Sequence, residues 1–229
     1  MEELTPIDND DLRDLYQGRG FGTCGPAIVA VIEGETVQHI RNSIAQGFDN
    51  EPRFRDMGKK HVDELIDFLN SHNIDVKDKT IVEVGCGAGR MTEFLAKKFR
   101  LVYATDIASG MLYRLEQRLG VLPNVKLLCS DNLSLIPNES TDIILSTLVF
   151  QHNPESLVKK FFEDGYRILK PEGYYVFQLS VKDKHEVVQK NHATDMVRWT
   201  ADELTEIANE HGYKILNKLD DFLKIWQKI

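Results

Sequence analysis

Residues 82–90 read Val-Glu-Val-Gly-Cys-Gly-Ala-Gly-Arg. The β-branched run that leads into them from Thr80 predicts a short strand over 80–84, and residues 91–99 carry a helical pattern. A strand that ends in a glycine turn and continues as a helix marks an open α/β sheet, where ligands bind beyond the carboxyl ends of the strands. Glycine lets the backbone approach a ligand with no Cβ in the way. The first turn of the new helix offers N–H groups and a positive dipole end. The spacing departs from Gly-x-Gly-x-x-Gly, because Gly89 comes one residue early and Arg90 follows it. Gly-Lys-Ser/Thr is also absent, so the turn is neither a dinucleotide fingerprint nor a phosphate loop.

Upstream, Val62, Leu65, Ile66 and Leu69 make one apolar stripe at helical spacing over 56–72. Downstream, strand and helix patterns alternate. A strand over 101–105 ends at Asp106. Ser109 is placed to cap a helix to about 119, with Met111, Leu112, Leu115 and Leu119 on its apolar side. Strands follow over 125–129 and 142–145. Asn153-Pro154 predicts a cap and a first-turn proline for a helix to about 169. Residues 170–173 read as a turn and 174–179 as a fifth strand. Thr200 and Glu203 form a capping box for a helix that Gly212 stops. Two last strands, 213–219 and 222–229, are joined by Asp220-Asp221, short enough for a hairpin, so the final strand should run antiparallel. The expected fold is α/β, a doubly wound Rossmann-like seven-stranded sheet, mostly parallel with an antiparallel last strand. Residues 1–55 fall outside this rhythm. With glycines at 18, 20, 22 and 25, they are expected to form an N-terminal cap on a domain spanning 56–229, aided by part of 180–198.

The chain has 229 residues and a net charge of −8, a balance that argues against a nucleic-acid partner. No apolar run approaches a membrane span, and the acidic start MEELTPIDNDD does not resemble a targeting signal. Cys24, Cys86 and Cys129 show neither disulfide nor zinc spacing, and no metal is expected. A reduced, cytoplasmic setting fits these features.

Three acidic positions fall at three successive strand ends: Glu83 before the glycines, Asp106 after the second strand, and Asp131, beside Asn132, after the third. Singly, either aspartate reads equally well as a cap or a solvated turn residue. Together, and with glycines after the first strand, they suit a nucleoside: a carboxylate 21 positions after Gly85 accepts paired ribose hydroxyls, and an acceptor beyond it meets an adenine amino group.

On these residues the chain resembles the class I S-adenosylmethionine-dependent methyltransferase family over about 56–229. The resemblance is carried by EVGCGAGR at 83–90, YATDIASGML at 103–112, CSDN at 129–132, TDIILSTLVFQHNP at 141–154, ILKPEGYYVF at 168–177 and WTADELTEIANEHGY at 199–213. It implies S-adenosylmethionine as cofactor. Glu83, Gly85 and Gly87 would hold its methionine end, Asp106 its ribose, Ile107 would pack on the adenine, and Asp131 and Asn132 would meet the adenine edge. Ser146 and Leu148 would lie beside the sulfonium. Cys86 and Met111, inside the matching stretches, complete the implied cofactor set.

Methyl transfer displaces a good, neutral leaving group, so alignment is the enzyme's main task. A hydroxyl acceptor also needs a base, and His152, after the fourth strand, is the candidate, against a packing role beside Asn153. Arg53 and Arg55 read either as a solvated pair or as partners for a carboxylate of cofactor or acceptor. Phe48, Phe54, Tyr174 and Tyr175 read as core. The expected function is methylation of a small-molecule acceptor at oxygen or nitrogen. An RNA or protein methyltransferase, a non-methylating cofactor-binding relative and, more distantly, a nicotinamide oxidoreductase stay open at this level, as does the oligomeric state.

Overall fold

The computed structural model describes residues 51–130, 133–182, 186–187 and 197–229. Helix α1 (Glu51–Ser71) leads into β1 (Thr80–Val84), the short α2 (Thr92–Leu95), β2 (Leu101–Asp106), α3 (Ser109–Leu119), β3 (Val125–Cys129) and β4 (Thr141–Ser146). A single 3-10 turn, Phe150–His152, precedes α4 (Glu155–Ile168) and β5 (Leu169–Phe177). The pair β6 (Glu186–Val187) and β7 (Val197–Arg198) forms a small separate ribbon. Helix α5 (Ala201–His211), β8 (Tyr213–Ile215) and β9 (Lys224–Lys228) close the chain.

Seven strands form one sheet in the order β3-β2-β1-β4-β5-β9-β8. The first five are parallel, and β9 runs antiparallel to both its neighbours. Strand alternation supplies two apolar faces, as period-2 side chains require. Ile81, Val102, Ile143, Leu145, Val176 and Ile225 meet Val62, Leu65 and Leu69 of α1 and Leu95 of α2 on one face. Ala104, on the same face, meets Leu112 and Leu115 of α3. Val82, Tyr103, Ile144, Tyr175, Phe177 and Trp226 pack against α4 and α5 on the other. That second core is aromatic: Phe162 stacks on Trp226 at 4.7 Å between ring centroids and meets Phe177 edge-on at 5.0 Å.

The seven strands, their directions and the capping box at Thr200–Glu203 match the sequence expectations, while several boundaries move for local reasons. Helix α1 begins at Glu51, so Arg53 and Arg55 lie within it. Helix α2 stops at Leu95, and 3-10-type bonds from the Lys97 and Lys98 N–H groups tighten the turn after it. Ser109 does not cap α3. Ala108 holds the N-cap position, and its N–H donates to the Asp106 carboxylate. Nor does Asn153 cap α4: Pro154 stands there, and the Asn153 amide donates to the Val149 carbonyl. The expected turn at 170–173 is an excursion inside β5, where Thr141 pairs with Leu169 but Ile143 pairs with Tyr174. Strand β8 ends at Ile215 because the Asn217 side chain takes over the ladder, accepting from the Ile225 N–H and donating to the Leu223 carbonyl.

Candidate functional site

Chain order reverses between β1 and β4, which run side by side although β2 and β3 separate them in sequence. Helices α1–α3 and α4–α5 therefore cover opposite faces, and the switch point, where open α/β sheets bind their ligands, lies beyond the carboxyl ends of β1 and β4. The glycine loop after Val84 forms one side of it and the segment after Ser146 the other. Gly85 and Gly87 both have left-handed backbone, with φ of 72° and 54°. At Gly85 a Cβ would lie 2.4 Å from Val149 Cγ2, whereas at Gly87 it would meet nothing within 4 Å. The first glycine lets the two sides approach, and the second leaves open space in front of the loop.

The carbonyl of Thr105 accepts from both the Gly85 and Cys86 N–H groups, which pins the loop to β2. Asp106 then ties the glycine loop to the turn that follows β2. One carboxylate oxygen accepts from Gly87 N–H at 2.8 Å and the other from Ala108 N–H at 2.9 Å. The Ile107 backbone N–H also acts on this carboxylate, and the rest of its roughly four acceptor positions is left for ligand hydroxyls. Burial raises the Asp106 pKa, against the opposing effect of those N–H donors. Asp106 thus does some of the capping that its position allows, and it also joins two loops.

Glu83 is buried on β1, and its carboxylate accepts from the Thr92 hydroxyl at 2.6 Å. Burial pushes its pKa up to about 7. Cys86 is buried beside it, and burial raises its thiol pKa. Met111 is buried on α3 and Ile107 half-buried. Ser146 ends β4 with a fully buried hydroxyl that has no hydrogen-bond partner among the described residues. Leu148 has φ of 61°, a conformation that is uncommon for a branched side chain and marks local strain. Its side chain is exposed.

Glu83, Gly85, Cys86, Gly87, Asp106, Ile107, Ser146 and Leu148 all fall at this one edge, with Met111 on the first turn of the helix that follows Asp106. Asp131 and Asn132 lie outside the described residues, as do residues 1–50. His152 ends the 3-10 turn that follows β4, and β7 packs against that turn. The His152 side chain lies outside the described set. Arg55 is committed to the protein, since its guanidinium forms three hydrogen bonds with the Glu93 carboxylate at 2.6–3.0 Å. Among the described residues no group of three His, Cys, Asp or Glu side chains is arranged to hold a metal. No described helix is long and apolar enough to cross a membrane.

Sequence reasoning missed Thr92, Glu93, Arg118 and the contact of Arg90 with His61, whose nitrogens lie 2.7 Å apart. Their partners are remote in sequence and leave no periodic mark. Thr92 was the most accessible of them, nine residues after the glutamate it touches and on the helix that the glycines introduce.

The orphaned hydroxyl of Ser146, the open space before Gly87 and the remaining acceptor capacity of Asp106 fit an extended nucleoside ligand with an amino-acid tail. Residues 82–177 match the family model of the methyltransferase domain. A malonyl-[acyl-carrier protein] O-methyltransferase of Priestia megaterium is 31% identical over 140 residues, 59% of this chain and 48% of that protein. A phosphoethanolamine N-methyltransferase of Triticum aestivum is 27% identical over 146 residues, 62% of this chain and 28% of that protein. The chain spans about half or less of these relatives' lengths. A solved S-adenosylmethionine-dependent methyltransferase from Mesorhizobium loti superposes with a TM-score of 0.56 at 16% identity, over 70% of this chain and 95% of that one, a likeness of fold. Residues 82–177 thus carry the signature of a methyltransferase domain, on the fold of solved S-adenosylmethionine-dependent methyltransferases. A phosphoethanolamine N-methyltransferase of Haemonchus contortus, solved in complex with S-adenosylhomocysteine, superposes with a TM-score of 0.53 at 16% identity, over 70% of this chain and 41% of that one.

Proposed function

We propose that this chain methylates a small-molecule acceptor at oxygen or nitrogen. The observation that carries the reading is Asp106, a buried carboxylate held by Gly87 and Ala108 N–H groups at the switch point, with acceptor positions to spare. When bound, the cofactor supplies an electrophilic methyl group on a positively charged sulfur. In this reading Asp106 accepts both ribose hydroxyls, Ile107 and Met111 pack on the adenine, and Asp131 and Asn132 read its edge. Glu83 faces the ammonium of the methionine end, beside Gly85, Cys86 and Gly87. Ser146 and Leu148 flank the methyl group, where the chain's main task is to align the acceptor and exclude water.

The two named relatives act on an acyl-carrier-protein-bound malonyl group and on phosphoethanolamine. One transfer is to oxygen and the other to nitrogen, which supports a domain tolerant of either acceptor atom. His152 takes the acceptor's proton where the acceptor is a hydroxyl, and the segment ahead of α1, residues 1–50, caps the acceptor side; residues 51–55 belong to α1, behind the loop. A screen of small metabolites for S-adenosylhomocysteine release tests the reading and names the acceptor. His152→Ala is expected to lower kcat by ~10²-fold with cofactor affinity retained, and normal turnover in that variant removes the base assignment. Deleting residues 1–50 is expected to preserve cofactor binding and abolish acceptor turnover.

A further inference from the structure

The geometry points to Arg118, at the end of α3, as a positioning residue for the cofactor loop. The inference rests on the reading that the glycine loop holds S-adenosylmethionine. The Arg118 guanidinium donates from Nε to the Ala88 carbonyl at 3.1 Å and from Nη2 to the Gly89 carbonyl. These are two successive carbonyls of the loop. Because a peptide unit is planar and trans, fixing a carbonyl fixes the opposite direction for the next N–H. Arg118 therefore sets where the Gly89 and Arg90 N–H groups point. The Gly89 N–H donates back to the Cys86 carbonyl at 3.0 Å, closing the turn that carries Gly87.

The guanidinium is itself held. Nη1 donates to Glu93 at 3.2 Å, and the Phe54 ring lies 5.3 Å from its central carbon. Glu93 binds Arg55 of α1 and Lys97 on its other side. One buried carboxylate thereby joins α1, α2 and α3 behind the loop, and Arg118 is the member that reaches the loop itself. Its side chain is only 12% exposed. A planar fork can bridge two carbonyls and a carboxylate at once, whereas an ammonium on a flexible stem acts as a point charge. The role requires arginine, not merely a cation.

The test uses the full chain and S-adenosylhomocysteine as the probe. Affinity is read by calorimetry well below the melting transition, alongside the ligand-free melting temperature and amide exchange over 85–92. Arg118→Lys keeps a cation beside Glu93 but cannot bridge the two carbonyls. It should weaken the probe at least ~tenfold and speed exchange in the loop, with the ligand-free melting temperature close to that of the parent. Arg118→Gln should weaken the probe at least as much. Lys97→Ala removes a Glu93 partner that touches no loop carbonyl and should leave affinity unchanged. Parent-like affinity in Arg118→Lys, or an equal loss in Lys97→Ala, overturns the positioning role. Asp106→Ala separates the two levels. If it leaves affinity unchanged, the cofactor site is misplaced and the proposal falls with it. If it abolishes binding while Arg118→Lys binds normally, the site stands and the positioning role alone fails.

Discussion

Glu83 and Glu93 stand ten positions apart, before and behind the same glycine loop, and their relative exposures are 6% and 8%. Their carboxyls nevertheless move in opposite directions. Glu83 is pushed up to about 7 by burial, relieved only in part by the Thr92 hydroxyl. Glu93 is drawn down to about 2, foremost by its hydrogen bonds from Arg55, with Lys97 and Arg118 adding to them. Burial alone thus predicts neither charge nor role. Glu93 has its cations built in and finishes a structural junction. Among the described residues no ion pair is made to Glu83; Arg90 and Arg118 act on it only as nearby charges, which offset its burial in part. In the proposed reading the partner of its charged form is the cofactor's ammonium.

The back of the loop should show the larger stability effect. Glu93→Ala leaves Arg118 poorly hydrated with no carboxylate beside it. Breaking a buried pair in this way destabilises by roughly 3–5 kcal/mol. Urea unfolding of the ligand-free chain measures it, and a loss within the range of an exposed ion pair would mean that Glu93 does not organise the junction.

The two glutamates should also give pH dependences of opposite sign. Glu93 titrates lower in the folded chain than in the unfolded one. Its stabilisation is present above its ordinary value of 4.5 and is lost as pH falls toward about 2. Glu83 titrates higher in the folded chain. Its contribution is full below 4.5 and disappears as pH rises through about 7. The difference in each case amounts to about 3 kcal/mol. Glu83→Gln keeps a neutral acceptor for Thr92 and should raise ligand-free stability at pH 8 by up to that amount, with little change at pH 4. The same variant should weaken S-adenosylmethionine above pH 7. Parallel pH profiles for parent and variant would show that Glu83 is not the strained group.

How much of the molecule was legible in the sequence depends on range. The sheet and the strand-end positions of Glu83 and Asp106 come from short-period patterns and from spacings within one βα unit, so EVGCGAGR and the position of Asp106 suffice to mark this edge of the sheet; Asp131 lies outside the described residues. The back of the loop is assembled from contacts 25 to 38 residues apart, such as Arg118–Glu93 and Arg55–Glu93. A lone arginine on a helix carries no sign of its target. Arg55 shows the limit most clearly: sequence allowed it a carboxylate partner, but the partner is Glu93 of this chain. The moved boundaries have the same origin. Ser109 and Asn153 are good caps by residue type, yet Asp106 and the Val149 carbonyl compete for the groups involved.

The smallest effect tests how α1 sits on the loop that separates the two glutamates. Arg55, Gly58 and His61 recur at three-residue spacing along α1. They touch Glu93, the Arg90 backbone and the Arg90 side chain in turn. A Cβ on Gly58 would lie 1.9 Å from the Arg90 carbonyl oxygen, so helix or loop must move to admit it. In an isolated helix, glycine to alanine stabilises by about 1 kcal/mol. Here the sign should reverse, because the obstacle is backbone that cannot swing aside as a side-chain tip does. Overpacking of this kind destabilises by roughly 1–3 kcal/mol. Gly58→Ala should therefore lower the melting temperature and weaken S-adenosylhomocysteine, since the carbonyl it displaces belongs to the residue that ends the glycine loop. A raised melting temperature would mean that α1 does not seat on Arg90, and the contact between the front and back of the loop would then rest on Arg118 and Glu93 alone.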